Sequence, residues 1–110
     1  MKQKEIWWAD LNPVQGSEQR GRRPVVVISG NTMNDHLDIG IVCPLSSKIK
    51  NFAGCVILKK DKANGLDQDS EIISFQVRTI SKGRLVSKIG QITEDELRQV
   101  KAGLNEILTY

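Results

Sequence analysis

Apolar positions along this chain fall in short blocks separated by polar, turn-forming residues as far as Thr93, after which they recur at every third or fourth place. The short blocks predict strands. Glu5 to Leu11 (EIWWADL) is aromatic-rich and closed by Asn12-Pro13, which gives a first strand; its period of two sends Trp7 and Trp8 to opposite faces. Pro24 to Ser29 (PVVVIS) is a β-branched run entered through a proline, and an unbroken apolar run of that kind predicts a central strand covered on both sides. Asn31 to Asp38 reads as a polar turn. Ile39 to Leu45 (IGIVCPL) predicts a third strand that stops near Ser46, with Pro44 at an edge, bulge or end. Cys55 to Lys59 and Ser70 to Gln76 predict two more strands around a charged turn that is tightest at Asn64-Gly65. Arg78 to Arg84 is broken by Gly83, and Leu85 to Gln91 is the last strand.

The final segment follows another rule. Thr93 to Glu96 (TEDE) is a capping box, and Leu97, Val100, Leu104, Ile107 and Leu108 share one face at helical spacing. The expected fold is therefore mainly β: a small, strongly bent antiparallel sheet or partly closed barrel that carries a C-terminal amphipathic helix. A chain of 110 residues with 39% hydrophobic content suits one domain, 1–110, with a core of its own.

Charge narrows the partners. The formal net charge is +3, and from Glu94 onward two basic residues face four acidic ones, so that segment holds −2 and the rest +5. A basic body favours encounter with polyanions. Cys43 and Cys55 have neither metal-ligand spacing nor the density of a disulfide scaffold, and both sit in apolar strand patterns that predict buried free thiols. The start, MKQKEIWWAD, has no apolar signal core, and no stretch approaches a membrane span, so a cytoplasmic protein without a membrane contact is expected.

The stretch with least core character is Pro13 to Pro24 (PVQGSEQRGRRP), which joins the first two strands with two glycines and three arginines. Glycine permits close backbone approach, and arginine offers a planar fork of donors that fits phosphate oxygens. His36 is the single histidine, so a histidine pair for acid and base work is excluded, and its polar setting predicts a solvated side chain. Asp67 and Asp69 flank a lysine-rich turn and read as solvated, as do Lys59, Lys60 and Lys62. No His, Cys, Asp and Glu cluster has ligand spacing; neither metal nor cofactor is expected. Metal-free scission of RNA remains feasible, because the 2′-hydroxyl is a nucleophile that the substrate brings with it.

The run IWWADLNP from Ile6, then GSEQRGRRPVVVIS, IVCPLSS, QVRTISKGRL and the amphipathic helix resembles the MazF/PemK toxins of bacterial toxin–antitoxin systems over nearly the whole chain. The resemblance implies a dimeric, SH3-like barrel of the CcdB/PemK type. It implies a metal-independent endoribonuclease that cuts single-stranded RNA, leaving 2′,3′-cyclic phosphate and 5′-hydroxyl ends. It also implies a MazE-like antitoxin whose acidic, disordered tail blocks the site. By position, the family's catalytic arginine is Arg23, its loop glutamate Glu18, and its hydroxyl residue Ser46, where most relatives have threonine. Gly16, Ser17, Gln19, Arg20 and Arg22 belong to the loop that meets RNA, and Gln76 and Arg78 match the family's Q-x-R motif. Members that pair an arginine and an aspartate before this glutamine differ from this chain, which has Ile73 and Phe75 there.

Several assignments stay open on the sequence. Glu18 either handles a proton or pairs with a neighbouring arginine; Arg78 either contacts RNA or satisfies carbonyls at the loop base; one tryptophan is a candidate for base stacking or a dimer contact, against a packing role under the loop. Two other functions fit the same barrel: a CcdB-like gyrase inhibitor that cuts nothing, and a non-catalytic RNA-binding barrel.

Overall fold

Valine at three successive positions makes Val25–Val27 the natural centre of the sheet. In the computed structural model, which describes residues 1–12, 16 and 21–110, all three are fully buried. They lie in β2 (Arg22–Val27), antiparallel to β1 (Glu5–Asp10) on one side and β3 (Ile39–Ser46) on the other. Alternation sends Val26 to one face with Ile6, Cys43 and Leu45, and Val25 and Val27 to the other with Ala9, Leu11, Val42 and Ile80. The expectation of a strand covered on both faces holds.

Among the described residues the sheet has seven strands in the order β4-β5-β3-β2-β1-β7, with β6 added on β3. The remaining strands are β4 (Val56–Leu58), β5 (Ser70–Ile72), β6 (Arg78–Ser81) and β7 (Leu85–Gln91). That path does not close into a full ring, so the barrel is open while keeping the predicted class. β3 changes neighbour along its length: Ile39–Val42 pair with β6, and Leu45 and Ser46 pair with β5. Pro44, which has no N–H to give, sits at the changeover, and its carbonyl accepts from Ile73 N–H at 2.9 Å.

Three expectations need correction. Asn31 to Asp38 is not a plain turn but contains a short helix, α1 (Asn31–His36). Its inward residue, Asn34, is buried yet satisfied, with its amide donating to Ser29 O (2.8 Å) and its oxygen accepting from Ser29 Oγ (2.5 Å). The predicted strand Ser70 to Gln76 ends at Ile72, and Ser74–Gln76 form a 3₁₀ turn in which Gln76 N–H donates to Ile73 O (3.1 Å) and Val77 N–H to Ser74 O (3.1 Å). Finally, Leu108 is 84% exposed and does not join the core face of the C-terminal helix.

That helix, α2 (Glu94–Thr109), begins as predicted: Thr93 Oγ1 accepts from Glu96 N–H (3.1 Å) and Glu96 Oε1 accepts from Thr93 N–H (2.8 Å). Leu97 and Val100 close the first cluster over β4 and β5, and Gly103 lies against Gly54. Trp7 packs on the second cluster, and Trp8, 39% exposed, faces the other way. Cys43 is buried and Cys55 half-buried; both thiols are free. No helix is long and apolar enough to cross a membrane among the described residues.

Candidate nucleic-acid interface

The loop between β1 and β2 is held by its two feet. The ladder ends at Asp10 and Arg22; beyond it Leu11 N–H donates to Gly21 O (3.0 Å) and Gly21 N–H donates to Asn12 Oδ1 (3.1 Å). Gly21 has φ of +76°, a left-handed turn that a side chain would strain, which explains glycine just before the arginine pair. The Arg84 guanidinium, brought from across the fold, donates to the carbonyls of Asp10 (3.3 Å) and Asn12. Residues 13–15 and 17–20 lie outside the described residues, and with them the roles expected of Ser17, Glu18, Gln19 and Arg20. Gly16, within that stretch, is exposed with φ of +58°.

Arg23 and Ser46 belong to neighbouring strands. β2 and β3 pair as Val27↔Val42, Val26↔Cys43 and Val25↔Pro44, where the ladder ends, so Arg23 and Ser46 each lie two residues beyond its last pair. Alternation then puts both on the face of Val25 and Val42. Arg23 is half-buried and Ser46 buried, and Ser46 Oγ accepts from Lys48 N–H at 3.1 Å. Because that oxygen accepts from the backbone, the hydroxyl hydrogen is directed elsewhere.

Arg78 is paired with Val42 and so shares this face, four residues along β3 from Ser46, or about 13 Å at strand rise. Gln76 stands in the 3₁₀ turn between them in sequence, half-buried. The Q-x-R segment therefore meets β3 on its β6 side. Arg22 is exposed on the opposite face.

On that opposite face a cavity of about 260 Å³ opens beside Trp8, Arg22, Pro24, Leu45, Leu66 and Ile89. Ser47, not Ser46, contributes to its wall, along with Arg23. The end of β2 thus meets two surfaces. Asp67 lines the cavity and is exposed, and Asp69 accepts from Lys60 N–H at 2.9 Å. His36 is exposed, as expected, with its Nδ1 2.7 Å from Thr32 O.

Two residues escaped the sequence reading. Arg84 clamps a loop more than seventy positions away, which no local pattern could signal. Glu71 is fully buried in β5, paired with Ser46, and a charged residue inside SEIIS was a visible but unused sign.

The sequence matches the model of the PemK-like, MazF-like toxins of type II toxin–antitoxin systems over residues 2–108. The chain belongs to this toxin family. It is 36% identical over 107 residues to the endoribonuclease MazF of Staphylococcus saprophyticus subsp. saprophyticus, covering 96% of this chain and 88% of that protein. Its fold matches that of the MazF crystal structure (Form-I) from Deinococcus radiodurans with a TM-score of 0.86 at 22% identity, covering all of this chain and 97% of the other. The Mycobacterium tuberculosis toxin MazF-mt6 superposes with a TM-score of 0.80 at 21% identity over 96% of each chain. The MazE-MazF crystal structure (Form-II) from D. radiodurans contains a chain matched at 0.77 and 20% identity, over 99% of this chain and 95% of that one. For this member of the PemK/MazF family, the open sheet with α2 across one side is thus the family architecture.

Proposed function

We propose that this single-domain toxin is a metal-independent endoribonuclease acting on single-stranded RNA, mRNA in particular, in the cytoplasm. The observation that supports the reading is that Arg23 and Ser46, a guanidinium donor and a hydroxyl, stand on adjacent strands, each two residues beyond the last β2–β3 pair. The 2′-oxygen attacks the adjacent phosphorus as the bond to the 5′-oxygen breaks, giving a 2′,3′-cyclic phosphate and a 5′-hydroxyl. Arg23 stabilises charge on the phosphoryl oxygens, and the Ser46 hydroxyl donates to the same group. One proton leaves the 2′-hydroxyl and one reaches the 5′-oxygen; Glu18 is the loop residue suited to handle a proton. Gly16, Ser17, Gln19, Arg20, Arg22, Gln76 and Arg78 hold the strand. The relative's name supports this reading. The proposal includes a homodimer and a MazE-like antitoxin whose acidic tail occupies the arginine loop; the MazE-MazF neighbour supports the antitoxin partner.

The test is incubation of the purified protein, free of antitoxin, with mixed-sequence single-stranded RNA in EDTA, followed by end mapping. Cyclic phosphate and 5′-hydroxyl ends are expected, and Arg23→Ala should lower the rate about 100- to 1,000-fold while the fold is kept. Intact RNA with folded wild-type protein would overturn the proposal; inhibition of gyrase by that same protein would favour the CcdB-like alternative.

A further inference from the structure

The segment that follows Ser46 is tied down from an unexpected side. Glu71 has no exposed surface, and its carboxylate accepts three consecutive backbone N–H groups: Lys50 (2.9 Å) and Asn51 (3.2 Å) on Oε1, and Phe52 (2.9 Å) on Oε2. Successive N–H groups converging on one anion form a nest, and the turn at Asn51, with φ of +55°, curls the chain round the carboxylate. Phe52 O then accepts from Cys55 N–H at 3.2 Å, closing the segment. So a buried side chain fixes a surface loop.

What the loop presents is an aromatic pair. Phe52 is 43% exposed and Phe75 47%, and their rings meet edge to face with centroids 5.2 Å apart. Such contact leaves ring faces open to a further partner. Phe75 directly precedes Gln76, and Glu71 is the Cα partner of Ser46, so the pair is joined by chain and by register to the proposed site. Lys48 and Lys50, both exposed, precede Phe52 on the same segment. Exposed aromatic rings with lysines on the same segment make a surface that single-stranded nucleic acid can stack on and track along.

We infer that Glu71 is a positioning residue that holds Lys50–Phe52 so that Phe52 and Phe75 form a stacking platform for a nucleobase of the RNA strand, beside the scissile group. The inference rests on the endoribonuclease reading, and it assigns to the exposed pair substrate binding and site selection in place of chemistry.

The experiment measures kcat and KM separately on a single-stranded RNA with one mapped cleavage site, for wild type, Phe52→Ala, Phe75→Ala, Phe52→Trp and Glu71→Gln, with oligomeric state and thermal stability recorded for each. Phe52→Ala and Phe75→Ala should raise KM roughly 5- to 100-fold with kcat little changed, the range expected for losing one base–aromatic stack. Phe52→Trp should restore KM, and Glu71→Gln should raise KM at temperatures well below its melting point. Unchanged KM and cleavage preference in both alanine variants, with wild type active, would overturn the platform alone. Conversion of a dimer to a monomer by the alanine variants would also overturn it, since the rings would then be an interface between copies. Should wild type cut nothing, the endoribonuclease reading fails by itself, and binding of the 2′-deoxy oligonucleotide decides the platform: weaker binding by Phe52→Ala supports it and equal binding overturns it.

Discussion

Ser46 offers the same hydroxyl as a threonine would but lacks the methyl that restricts its rotamer. Here Lys48 N–H, donating to Ser46 Oγ at 3.1 Å, supplies part of that restriction through the backbone. Ser46→Ala should therefore lower kcat about 100-fold or more, and Ser46→Thr should retain activity, both read in the EDTA assay. Arg23, Ser46, Gln76 and Arg78 are legible in the sequence as motif positions; that the first two stand on adjacent strands, two residues beyond the last β2–β3 pair, is not, since pairing is a non-local property. Glu5 shows the same limit. Burial raises its pKa, but Lys2 N–H, the Trp7 indole and Lys88 together outweigh this and hold the carboxyl below its usual 4.5. The unfolded chain then binds the proton more readily, so this contribution is present above about pH 4.5 and is lost as pH falls through the folded value. Wild type and Glu5→Gln should differ in melting temperature at pH 6 and converge in strong acid.

At the scale of elements, the helix and the central strand were readable for the same reason: each has one dominant period or run. The short helix α1 and the 3₁₀ turn at Ser74–Gln76 were not, because a turn-like NTMNDH and a strand-like SEIISFQ are decided by what their few inward residues meet. Ser29 offers both a donor and an acceptor to Asn34, which favours a helical turn over an open loop. Gly103 in α2 lets two effects be weighed. In an exposed helix Gly→Ala stabilises by about 1 kcal/mol. A Cβ at Gly103 would stand 2.0 Å from Gly54 O, a backbone atom with little room to retreat, and overpacking of that kind costs about 1–3 kcal/mol or more. The clash should win, so Gly103→Ala should unfold at lower denaturant concentration than wild type. Thr93→Ala should lose about 1 kcal/mol in the same titration by removing the cap on Glu96 N–H.

At the scale of the whole molecule, charge is divided along the chain: the helical segment from Glu94 carries −2 against +5 for the rest. A polyanion should therefore approach the sheet and its arginine loop in preference to α2. Binding that neutralises phosphates releases counterions, and for single strands log affinity falls by about 0.7 per phosphate for each unit of log salt. Arg22 is exposed where β2 begins, at a foot of the loop, whereas Lys101 is exposed on α2. If RNA lies along the sheet, Arg22→Ala should reduce the salt slope of binding by about 0.7, and Lys101→Ala should leave it unchanged. Both variants lose one positive charge, so their total charge is the same and only its place differs. Titration of a labelled 2′-deoxy strand between 50 and 200 mM salt, roughly the range in which such slopes are read, checks the difference. Equal slopes for the two variants would mean that net charge alone draws the strand in, and would move the binding face away from the loop on which the proposed chemistry depends.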